Sequence, residues 1–206
     1  MRLKLDFECY TRIEHGYLII PSPPSQLTDF PDLYDRICGT IYMAAKVGGD
    51  SDKSFISKKA KDASFIRASL CEFVSIEEYI KQTYPKLEAG CYRLYKSSNP
   101  IFHMLKLLRN YNIHIEESVL DNKSMMVEVP KYKTEQFEIE VEFISNLSVA
   151  QLKNLSSAKD YSDELLEKMI NCFEVEQHQF GVPTLIIKSA LDYADKLLTL
   201  LCPEPK

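Results

Sequence analysis

The stretch from Asn99 to Ser118, NPIFHMLKLLRNYNIHIEES, constrains this chain more than any other. Asn99 suits a helix N-cap through its side-chain oxygen. Pro100 suits the first helical position, where a missing N–H leaves no bond unmade. Ile101, Met104, Leu105, Leu108 and Ile115 recur at three- and four-residue spacing, so one side of the helix is apolar and has to be covered by other elements. Into this buried helix the chain sets Arg109, Asn110 and His114. A core has no packing use for a guanidinium, an amide and an imidazole, so these three are the first candidates for a site.

The rest of the chain reads as helices around that one, with two strand-like regions. A helix is predicted from Asp32 to about Val47, with Leu33, Ile37 and Ile41 inward and Gly48 and Gly49 after its end. A longer one is predicted from about Asp52 to Tyr84, with Pro85 just beyond it. Its early lysines, Lys53, Lys58, Lys59 and Lys61, read as a solvated face, with nucleic-acid contact as the alternative. Arg67 lies within the packed part. It is read as a structural ion pair with Glu72 or a neighbouring carboxylate, or else as a second cation for the Arg109 site. Lys86 to Ser98 reads as a loop packed by its tyrosines. Its interleaved Tyr92, Arg93, Tyr95 and Lys96 would also serve to stack bases.

Leu3, Leu5, Phe7 and Cys9 alternate with charged residues, which predicts an N-terminal strand, and Gly16 to Ile20 is its candidate return. Pro21 to Ser25, PSPPS, is a stiff connector. Leu120 to Ser124 is predicted as a turn, followed by a hairpin of Met125–Val129 and Phe137–Phe143. In the second strand Glu138, Glu140 and Glu142 share one face. They are read as solvated rather than as a cation site. Val149–Leu155, Asp163 to about His178 and Pro183–Leu201 are predicted helices. Glu174 and His178 stand one turn apart, but no third metal ligand is apparent in the sequence.

The chain has 206 residues, enough to bury a real core in one domain. Its formal charge of −5 excludes a globally basic nucleic-acid binder, yet the charge is uneven. Between Lys86 and His114 there are five Lys or Arg against one Glu, net +4. From Ile115 to Ser145 there are eight Asp or Glu against three Lys, net −5. The six cysteines form no CxxC pair and read as reduced, mostly buried thiols. Asp6 and Glu8 stand where a signal peptide needs apolar residues, and no stretch approaches a membrane span, so the expected location is cytoplasmic. Glycine-rich phosphate loops, GxSxG and HExxH are absent from the sequence.

An arginine followed by a polar residue, with a histidine a few positions later on a helix of an all-helical domain, resembles the HEPN superfamily (higher eukaryotes and prokaryotes nucleotide-binding). The matching residues are Arg109, Asn110 and His114, within LLRNYNIHI. The helical stretch Phe65 to Lys81 looks like the second helix of bacterial members, and the likeness covers about residues 30–118. Some toxin members carry a tyrosine two positions after the histidine. Here that position is Glu116, so regulation through such a tyrosine is not implied.

The resemblance implies a mainly α fold, an up-and-down helical bundle over residues 26–119; the strand patterns add a small antiparallel sheet of the N-terminal strands and the hairpin near 125–143. Residues 1–25 would supply the strands and linker, and 120–206 would complete the same domain. It also implies a homodimer whose motif helices build a shared cleft, and a metal-independent endoribonuclease without cofactor. His114 would accept the ribose 2′-OH proton, Arg109 would hold the phosphate oxygens, and Asn110 would orient the histidine or bind a phosphate oxygen. Arg67, Lys106 and Arg93 are the candidate substrate-binding cations. The alternative is a non-catalytic RNA- or nucleotide-binding or protein-interaction module. RNA, a cognate antitoxin or a nucleotidyltransferase are the partners that either role would bring, as in toxin–antitoxin or defence systems.

Overall fold

The computed structural model describes residues 4–202 except 9, 11, 15, 18, 50–54, 115–118 and 129–135; at 113, 114, 119, 127, 128, 136 and 179 it describes the backbone alone. Helix α1 (Pro31–Ala45) starts on a proline and buries Leu33, Ile37, Ile41 and Ala44. Helix α2 (Lys58–Thr83) starts where the Ser57 side chain accepts from the Ala60 N–H at 3.2 Å. This is later than the apolar pattern predicts. Phe55 and Ile56 precede the cap, and Asp52 to Ser54 lie outside the described residues. A short helix α3 (Ala89–Tyr92) and a 3₁₀ turn (Leu94–Lys96) occupy the expected loop.

Helix α4 (Pro100–His114) begins as its sequence predicts, with Ile101 N–H donating to Asn99 Oδ1 at 2.9 Å. Ile115 and the residues after it, to Ser118, lie outside the described residues. Helices α1, α2 and α4 pack with the long α6 (Asp163–Leu201) into a bundle. At its centre the rings of Phe73, Phe102 and Tyr193 meet pairwise with centroids 5.6 to 5.8 Å apart. Tyr193 is fully buried, and its hydroxyl donates to the Tyr92 carbonyl at 2.6 Å, so the large ring enters the core without stranding its polar end. No helix among the described residues is long and apolar enough to cross a membrane.

The sheet is a two-stranded antiparallel hairpin, β1 (Val119–Glu128) and β2 (Gln136–Ser145), lying against α6. Three expectations are corrected here. Leu120 to Ser124 is not a turn but part of β1, because each residue pairs across to β2: Leu120 with Ile144, Asn122 with Glu142. The N-terminal segment forms no strand among its described residues. Asp6 N–H bonds the Ser98 carbonyl at 2.9 Å, and Leu5 and Phe7 pack partly against the helices, so its alternation serves a packed strap rather than a ladder. Glu142 is not solvated. At the base of the hairpin β2 is covered on both faces, and Val141, Glu142 and Ile144 are all buried, while Glu138 and Glu140 remain exposed.

Helix α5 (Val149–Lys153), capped by Ser148, links the hairpin to α6. The two C-terminal helices read from sequence meet within α6 at a kink, where Gly181 takes the non-helical φ 79° and ψ 164° and Pro183 follows. That backbone conformation is open essentially to glycine alone. A Cβ there would also stand 2.8 Å from the Glu142 carbonyl oxygen and 3.3 Å from Val141 Cβ. Gly181→Ala is therefore expected to destabilise the fold by about 2–3 kcal/mol, read as a lower urea midpoint at unchanged slope. A loss below about 0.5 kcal/mol would show that the kink is not needed.

The described cysteines are less buried than expected. Cys38, Cys71, Cys91 and Cys172 are half-buried free thiols, Cys202 is exposed, and Cys9 lies outside the described residues.

Candidate functional site

Position in the bundle decides what each cation on α4 can do. Lys106 and Arg109 are one turn apart on the helix, but they face different company. Lys106 Nζ donates to both oxygens of Glu77 at 2.9 Å, and Arg93 Nη1 reaches Glu77 Oε1 at 3.2 Å. The same carboxylate accepts from the Leu94 N–H at 3.0 Å. Glu77 is completely buried, and it holds α2, α4 and the connection between them at one point. Tyr95 lies beneath this group, its ring centroid 4.8 Å from Lys106 Nζ and 5.7 Å from the Arg93 guanidinium. Two of the three cations expected to hold substrate are thus engaged with an internal carboxylate. Arg67, the third, donates to Ser64 Oγ at 3.1 Å on α2.

Arg109 differs. Its Nη1 donates to Asn110 Oδ1 at 2.9 Å, and Asn110 Nδ2 continues to Ser157 Oγ at 3.0 Å, in the 3₁₀ turn Ser156–Ala158. The Nε of Arg109 is buried with no hydrogen-bond partner, and among the described residues no carboxylate forms an ion pair with it. Arg109 is half-buried, and its hydrogen bond goes to a neutral amide. Such a cation is under-solvated and attracts an anion.

The structure therefore brings Arg109 and Asn110 together, and Lys106 and Arg93 together. The side chain of His114 lies outside the described residues. The backbone of α4 continues through Asn112 to His114. Positions five apart on an ideal helix point about 140° away from each other, so one regular α4 does not aim Arg109 and His114 at a single phosphate.

In the sequence His103 is masked by its apolar neighbours Phe102 and Met104. It is buried, its Nε2 donates to the Ser97 carbonyl at 2.8 Å, and its Nδ1 accepts from the Tyr161 hydroxyl at 2.7 Å. A carbonyl only accepts, so Nε2 carries a hydrogen, and burial favours the neutral ring with Nδ1 as acceptor. Burial keeps Tyr161 protonated by pushing its pKa up to about 12, and burial also lowers the pKa of His103. A folded-state pKa below the unfolded value gives stability that is complete above about pH 6.5 and lost as pH falls through that region. His103→Gln is expected to flatten this acid limb in a series of urea midpoints against pH; an unchanged limb would assign it to other groups.

Glu142 and Asp62, both buried, form a second polar cluster between the hairpin and the start of α2. Among the described residues no three His, Cys, Asp or Glu side chains gather as a metal site. Comparison with protein-family models, curated proteins and solved structures gives no match to this chain.

Proposed function

We propose that the chain is a HEPN-like protein that binds RNA phosphate at Arg109 and Asn110 and cleaves RNA without a metal, His114 accepting the 2′-OH proton in a site completed by a second copy. The observation that carries this reading is the Arg109 guanidinium, half-buried, free of any carboxylate among the described residues and steadied by a neutral amide. Its planar fork matches two phosphate oxygens and stays charged at all working pH values. Dimerisation answers the divergence of Arg109 and His114 around α4, since a symmetric partner can present the missing group.

A second reading, a non-catalytic binding module, is favoured by the bond from Asn110 to Ser157, which gives the Arg109 and Asn110 pair a structural task as well. Incubating the pure chain with end-labelled single-stranded RNA in EDTA separates the two. Fragments ending in 2′,3′-cyclic phosphate support catalysis by 2′-OH attack. Retention of intact RNA supports the module, and neither binding nor cleavage would overturn the assignment of RNA.

A further inference from the structure

The hairpin has two outer edges. At the base of β2, Ile144 turns both its N–H and its C=O outward, to the side chain of Gln177 on α6. Ile144 pairs with Leu120, and in an antiparallel ladder such a pair directs its backbone groups away from both strands. By the same alternation the outward positions of β1 are Leu120, Asn122, Ser124, Met126 and Glu128. Asn122, Ser124 and Met126 are exposed, and among the described residues no hydrogen bond engages their backbone groups on that edge. A cleft of about 300 Å³ beside Leu120, Asp121 and Asn122 keeps the lower end of the edge open. Such edges are ordinarily guarded by a proline, a bulge or an outward lysine. β1 has neither proline nor bulge, and its lysine, Lys123, bonds the His178 carbonyl on α6.

Charge selects what pairs there. Asp121, Asn122 and Lys123 stand in a row, and Asp121 has no ion pair among the described residues. We propose that β1 pairs with β1 of a second copy, antiparallel about a two-fold axis at Asn122, so that two hairpins form one four-stranded sheet. In that register Asp121 of each copy stands directly opposite Lys123 of the other, on one face of the sheet, and the two asparagines meet on the axis. Moving the axis by one residue sets Asp121 against Asp121, or Lys123 against Lys123. Moving it to Ser124 leaves both charges without a partner. The Asp-Asn-Lys row is thus its own complement, as a two-fold contact requires. The interface does not rest on the ribonuclease reading, although it supplies the second copy which that reading calls for.

Sedimentation velocity on the full chain tests the pairing. A dimer is expected, weakening as salt rises. Asp121→Lys and Lys123→Asp, each of which faces like charges twice across the axis, are expected to weaken it at least about tenfold, and the two exchanges combined to restore it. Circular dichroism separates loss of pairing from loss of fold. Asn122→Cys supplies a readout without charge change. Residues opposite each other in a bonded pair lie about 5.5 Å apart at Cα, within disulfide reach, so a mild oxidant should link the two copies at a yield well above wild type. A wild type that stays monomeric at high micromolar concentration overturns the proposal. A dimer indifferent to both charge reversals and giving no added crosslink overturns it as well. RNA cleavage by such a dimer would leave the ribonuclease reading standing while this interface falls.

Discussion

Replacing Glu77 with alanine is expected to lower the unfolding free energy by about 3–5 kcal/mol, among the largest single losses this fold can show. The wild-type ion cluster need not itself be strongly stabilising, since desolvating three charges offsets much of their attraction. Removing only the carboxylate is another matter. Arg93 and Lys106, whose side chains are 18% and 22% exposed, would stay positive side by side, and the Leu94 N–H would lose its acceptor. Glu77→Gln keeps the acceptor oxygen and the shape, so it should fall between wild type and alanine. Urea midpoints for the two variants check this. A loss under about 1 kcal/mol in Glu77→Ala would mean that both cations swing out to water and that Glu77 is not the joint between α2 and α4.

The second large effect concerns chemistry. Arg109→Ala and His114→Ala are each expected to reduce RNA cleavage by about 100-fold or more. General-base catalysis and charge stabilisation by one aimed donor are each worth about that much. Arg109→Lys sharpens the test, because an ammonium keeps the charge but cannot donate two parallel hydrogen bonds, so substantial loss is expected there too. His114→Ala should abolish cleavage while leaving RNA retention nearly intact, whereas Arg109→Ala should weaken both. Circular dichroism and sedimentation would establish that fold and assembly survive. Unchanged turnover in both alanine variants would remove the enzyme and leave the binding module.

Much of the fold is legible in the sequence where local signals and tertiary demand agree. The start of α4 is read from Asn99 and Pro100, and the hairpin from the alternation in β2, because cap chemistry and period-two patterning act within a few residues. The errors have the opposite origin. Asp121, Asn122 and Ser124 are turn formers that tolerate a strand when a partner strand supplies the ladder, and that partner lies across the hairpin. Leu5 and Phe7 alternate with polar residues in the same way whether they face a sheet or a helix bundle.

The site shows the same division. Arg109 and Asn110 stand out because they are polar within an apolar helix. Glu77 was visible in principle, four residues after Phe73 and three before Ile80 on the buried face of α2, but the acidic pair with Glu78 looks like a solvated surface. Only the fold reveals that Arg93 and Lys106 converge on it. Glu142 was hidden for a similar reason, since nothing in three alternating glutamates distinguishes the one that lies against Gly48.

On α6, Gln177 receives the Ile144 N–H at 2.8 Å and returns its own amide hydrogen to the Ile144 carbonyl at 2.6 Å. A side-chain amide thereby imitates the peptide unit of a neighbouring strand, and at that rung the outer rim of the ribbon is already occupied. Edge-to-edge recruitment of another chain onto β2 is blocked at that rung.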